Sequence, residues 1–126
     1  MIERLKDALR RYRDAEPRYR RLDVSPDGVR LTSSKSGREI WTVRWDELDE
    51  IVAYKVDAMI FDHICLAFRK RAEDSFHVTD EETAGWEDLN RALAERFGIE
   101  ESRWHGDVAA PAFAENWTVL WRPAGL

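Results

Sequence analysis

The chain has 126 residues, of which 44% are hydrophobic and 36% charged, and carries a net charge of −5. This length suits one domain able to bury a core without staples, and the apolar fraction excludes an intrinsically disordered chain. No apolar run approaches the ~20 residues of a membrane span, and the opening MIERLKDALRRYRDAEPRYRRL lacks the apolar block of a secretory signal. The single cysteine, Cys65, has no partner for an internal disulfide and falls in an apolar strand pattern, so it reads as a buried, inert thiol. Together these features predict a cytoplasmic protein.

Residues 1–18 read as a helical basic arm. Ile2, Leu5, Leu9 and Tyr12 fall on one stripe at helical spacing, and Pro17 ends the helix. Residues 1–21 hold eight basic side chains against four acids, +4, so the remainder sums to −9. An acidic body repels polyanions, so nucleic acid is not the expected partner.

The antiparallel sheet is expected over 19–79. Residues 19–24 and 28–33 form a hairpin around Ser25-Pro26-Asp27-Gly28, where Pro presets φ and Gly accepts positive φ. Trp41, Val43 and Trp45 alternate in a strand over 38–45, followed by strands over 51–57, 60–69 and 75–79. Between them the acidic corner Asp46-Glu47-Leu48-Asp49-Glu50 turns its carboxylates to solvent while Leu48 and Ile51 point inward. A helix is expected within 80–98, with a capping box from Thr79 to Glu82, a stripe of Trp86, Leu89, Leu93 and Phe97, and Gly98 as the stop. Gly85 weakens its first turn and favours a late start. The tail 99–126 is irregular, with Trp117, Val119 and Trp121 alternating in a possible final strand.

Six strands with a helix before and a helix after them exclude βαβ units. The expected class is α+β, a single domain over 1–126. Its antiparallel sheet curls around one core, or forms a partly open barrel, with an N-terminal helix and a helix after the sixth strand.

The run Ile40 to Trp45, the corner Trp45-Asp46-Glu47-Leu48 leading to Ile51, Ala53-Tyr54-Lys55-x-Asp57, Asp62-x-Ile64-x-Leu66-x-Phe68 and the Pro111 to Leu120 tail resemble small pleckstrin-homology-like domains, and more closely small bacterial proteins. The resemblance covers roughly residues 20–122. It implies a pleckstrin-like scaffold that binds something, without specifying what. The first hairpin loop, Ser25 to Gly28, has no base where lipid-binding members place several, so a phosphoinositide site is not expected.

No G-x-S-x-G elbow, P-loop or G-x-G-x-x-G occurs, and the three histidines lack zinc-ligand spacing, so no catalytic residue, metal or cofactor is assigned. His63 and His77 would face each other only if their strands were adjacent in the right register. A polar set of Lys55, Asp57, Asp62 and His63 gathers near one hairpin end, suited to acid–base work in a small enzyme. Asp46, Glu47, Asp49 and Glu50 are candidates for docking a basic partner, extended by Glu81, Glu82, Glu87 and Asp88, as in an immunity-type inhibitor of a basic toxin or nuclease. Trp117 and Trp121 are candidate interface anchors in a terminal segment, where Trp104 also lies. The leading expectation is a non-enzymatic module that binds a protein partner or a second copy of itself.

Overall fold

Alternating apolar residues build the first sheet. The structure is a computed structural model, and it describes residues 19–57, 62–110 and 117–124. Strands β1 (Arg20–Val24), β2 (Gly28–Ser33) and β3 (Glu39–Arg44) pair antiparallel in that order. Leu22, Val29, Leu31, Trp41 and Val43 are buried on its inner face, while Arg21, Arg30 and Arg44 stand exposed on the other. The predicted arm 1–18 and the apolar stretch Pro111 to Phe113 lie outside the described residues.

The chain leaves this sheet through a 3-10 turn at Trp45–Glu47. The Glu47 carboxylate accepts the Arg44 N–H at 2.8 Å. The Glu47 carbonyl accepts the Arg71 N–H at 2.8 Å, which ties the corner to the far end of the next hairpin. A second antiparallel sheet follows, in the order β6-β5-β4-β7, from β4 (Leu48–Asp57), β5 (Asp62–Lys70), β6 (His77–Asp80) and β7 (Thr118–Trp121). The α+β class is as expected. The single curled sheet is not, because the tight corner hands the chain to a new sheet instead of bending the old one.

The second sheet is covered on both faces. Ile51, Ala53, Ile64, Leu66 and Phe68 join the inner face of the first sheet and Trp86, Leu89, Leu93, Trp104 and Val108 in one core. Val52, Tyr54, Cys65, Ala67, Phe76 and Val78 form a separate cluster on the opposite face, with Trp117 against it. Cys65 is buried, as its strand pattern suggests.

Two helices complete the described fold. Helix α1 (Trp86–Phe97) starts late, after Gly85 at φ 94°, and stops at Gly98, whose N–H donates to the Ala94 carbonyl at 3.1 Å. The capping box does not form, because Thr79 is buried within β6. Asp80 instead accepts from the Glu82 N–H at 3.0 Å and the Thr83 hydroxyl at 3.2 Å, and it pairs with buried Arg20 across the sheets at 3.5 Å. Helix α2 (Glu101–Ala109) replaces the irregular tail. Its stripe is only Trp104 and Val108, too short to read before the core they enter is known.

The sheet edges are blunted, which protects a small β protein from unwanted strand pairing. On β1, the Leu22 N–H donates to the Ala84 carbonyl at 2.8 Å. On β3 the register slips at Ile40, and the Arg44 N–H is taken by Glu47. On β6 the Val78 carbonyl accepts the Trp41 indole N–H at 3.1 Å. The four residues of β7 carry a second slip, at Leu120.

Gly85 and Gly98 both hold positive φ, yet a Cβ on Gly85 would stand 2.4 Å from the Leu22 carbonyl oxygen while one on Gly98 meets open space. Gly98→Ala should therefore cost about 1 kcal/mol, the left-handed penalty alone. Gly85→Ala should cost roughly 3 kcal/mol, since backbone must also move. Urea denaturation midpoints check the order; equal losses would mean that contact is not rigid.

Candidate functional site

The four corner carboxylates are consumed within the chain. Asp46 is 70% exposed but sits on the Arg44 guanidinium through two contacts of 3.2 Å. That hydrogen bond holds the Asp46 carboxyl below its ordinary value and the Arg44 guanidinium above its own. Glu47 lies 3.7 Å from Lys70, and Asp49 lies 2.8 Å from Arg69. The Asp46 carbonyl accepts from Arg71. Glu50 does not face solvent at all. Its side chain is 1% exposed, with Oε2 at 2.8 Å from Arg122 and 3.7 Å from Arg69. The acidic run placed Glu50 on the solvated side of the corner, but β4 is buried from Glu50 to Lys55.

The uncommitted acid lies on the helices. Residues 81–109 contain eight acidic and three basic side chains, −5 in all. Glu82, Glu87, Glu95 and Glu100 are exposed and form no ion pair among the described residues. Glu81 is engaged by His105 at 3.1 Å and Asp88 by Arg91 at 3.1 Å. Glu95 has no acidic neighbour in the sequence and Glu100 has only Glu101, so a reading that follows long acidic runs passes over both.

The polar set at the hairpin end divides between two faces. Lys55 shares a face with Ile51 and Ala53, is buried, and donates to the Ala109 carbonyl at 2.8 Å. That carbonyl ends α2, where the helix dipole favours a cation. His63 alternates with Cys65 and Ala67 and so belongs to the opposite face. Asp57 and Asp62 stand directly opposite each other in the β4–β5 register, but their side chains lie outside what is described. His63 does not meet His77, which pairs with Phe68 five positions along and contacts Glu73 at 3.1 Å. Among the described residues no group of three or more His, Cys, Asp or Glu is placed to hold a metal ion.

The candidate tryptophans pack on their own fold. Trp117 sits edge-on to Tyr54 and Phe76, with centroids 6.0 and 5.5 Å away. Trp121 lies 4.8 Å from Phe97, which in turn meets Trp45 at 6.0 Å. Trp104 is buried in the core. Trp121 and Phe97 nevertheless remain half-buried, an aromatic seam beside the end of α1.

Two open grooves flank the β1–β2 turn. One of about 240 Å³ lies on the outer face of the first sheet, bordered by Asp23, Arg30, Thr42 and Arg44. The other, about 360 Å³, runs between the turn and α1. No family model, curated protein or solved structure matches this chain. The site is therefore argued from its own residues.

Removing the Glu50 carboxylate leaves a buried gap, but Arg122, 58% exposed, can turn to water and Arg69 keeps Asp49, so Glu50→Ala should cost about 1–2 kcal/mol in chemical denaturation. Asp46→Ala should leave the midpoint near that of the parent, because its pair is solvated. With its carboxyl held low, the Asp46–Arg44 contact is complete above the ordinary carboxylate range and is lost only as pH falls through the lowered value. A following of the Asp46 side chain by NMR titration checks this; a midpoint at or above the free-aspartate value removes the contact from the account.

Proposed function

We propose that this chain is a non-enzymatic, cytoplasmic protein-interaction module on a pleckstrin-like α+β scaffold, and that it engages a basic polypeptide through its helical layer. One observation carries the reading. The corner acids are matched by Arg44, Arg69, Lys70 and Arg122, whereas Glu82, Glu87, Glu95 and Glu100 are exposed without ion-pair partners among the described residues. Exposed like charges carry a self-repulsion that an opposite surface relieves, and they speed encounter with it.

The basic-partner reading thus moves from the corner to α1 and the turns around it. The half-buried Phe97–Trp121 seam adjoins this layer and supplies the aromatic surface that partner contacts favour. A neutralising protein of the immunity type, directed at a basic toxin or nuclease, is the form of partner recognition that this charge distribution suits. A small enzyme built on Asp57, Asp62 and His63 draws support only from the Asp57–Asp62 register pair.

Affinity capture from native lysate tests the reading, using the full chain beside the variant Glu82→Lys, Glu87→Lys, Glu95→Lys, Glu100→Lys. The expected result is a stoichiometric basic protein whose binding weakens at least about tenfold in the variant and with added salt. Circular dichroism on both proteins confirms a retained fold. A partner held equally well by the variant places the contact elsewhere, and the absence of any partner removes the reading.

A further inference from the structure

We propose that residues 1–18 dock on the face of the second sheet that carries Val52, Cys65 and Ala67, and form the layer that buries it. Val52 and Ala67 stand opposite each other on β4 and β5, and both are 0% exposed. Neighbours within a sheet shield one another only from the flanks, so full burial requires a further layer above them. The described residues do not supply that layer. Each member of this cluster lies in β4, β5 or β6 or, like Phe76 and Trp117, just before a strand, and neither helix contributes to it.

Burial on this face is uneven, which locates the cover. It is nearly complete on β4 and β5 and persists on the edge strand β6 at Val78, with Phe76 beside it. On the opposite edge it fails. Val119 of β7 pairs with Val52, and so shares its face, yet is 37% exposed. The covering segment therefore reaches the face from the β6 side.

The N-terminal segment joins the fold on that side. Arg20 opens β1, and its guanidinium lies 3.5 Å from the Asp80 carboxylate. Asp80 ends β6, opposite Cys65. The chain ahead of Tyr19 is thus attached within a side chain's length of the β6 edge. Its length and pattern fit as well. Residues 1–16, ahead of Pro17, would span about 24 Å as a helix, and four strands are about 14 Å across. Ile2, Leu5, Leu9 and Tyr12 give it one apolar stripe, as a helix lying on a sheet requires. The internal stretches 58–61 and 111–116, also outside the described residues, have four and six residues and are anchored at both ends. The longer of them leads into Trp117 and β7, the edge where cover is lost.

NOE spectroscopy on the full chain with labelled Leu, Val and Ala methyls tests the docking. Expected are cross-peaks from the Leu5 and Leu9 methyls to those of Val52 and Ala67. Cys65, the only cysteine of the chain and a member of this face, gives a second readout. Leu5→Asp combined with Leu9→Asp should speed labelling of its thiol under native conditions at least about tenfold, by freeing the layer above it. Arg4→Gln combined with Arg11→Gln, off the stripe, should leave the rate unchanged. Cross-peaks from Val52 and Ala67 to Ala112 or Ala114 instead, or only between differently labelled copies in a mixed sample, overturn the docking. Thiol labelling indifferent to the stripe overturns it as well. Should the doubly charged variant unfold, the cross-peaks of the parent chain decide alone.

Discussion

From Glu50 to Lys55 strand β4 is buried along both faces, and much of the fold follows from the two charged side chains it carries inside. Each residue from Glu50 to Lys55 is buried. A buried charge without a partner costs several kcal/mol, a large part of the roughly 5–15 kcal/mol that holds a domain together. Glu50 therefore needs a guanidinium, and Arg122 supplies one from the residue after β7. Lys55 needs an acceptor, and the last carbonyl of α2 provides it. One strand thereby fixes where the terminal strand and the second helix must lie.

The same strand explains why the core has two parts. With buried apolar side chains on both faces of its centre, the second sheet needs cover on each. One face receives the first sheet and the helices, while the other holds Tyr54, Phe76 and Trp117 in edge-on ring contact. The first sheet keeps its outer face wet, and its polar alternation survives there. The 3-10 corner at Trp45–Glu47 allows this arrangement, because it lets two sheets of different character follow one another without a helix between them.

Charge is sorted by layer. The corner acids stabilise the corner and the ends of β4 and β5 through Arg44, Arg69 and Lys70. The helices carry the surplus, with Glu82, Glu87, Glu95 and Glu100 exposed. None of the described sheet edges offers a long, flat row of free backbone groups.

Periodicity and turn chemistry are local, and they were legible. The alternation of Trp41 with Val43, the Trp86 to Phe97 stripe and the Gly98 stop need only neighbours in the chain, so the sequence by itself determined the strands, the first helix and the α+β class. The turn at Ser25 to Gly28 forms, but Gly28 lacks the expected positive φ and is required because a Cβ there would stand 2.2 Å from the Val43 carbonyl oxygen. Burial of a charge is not local. Glu50 sits in an acidic run like any solvated corner, and only the second apolar cluster and Arg122, 72 residues away, take it inside. The division into two sheets, helix α2, the opposite facing of Lys55 and His63, and the transfer of free acid from the corner to the helices were decided by tertiary structure. Each depends on which segments meet, and hydrophobic burial is set by the assembled surface rather than by the order of residues along it.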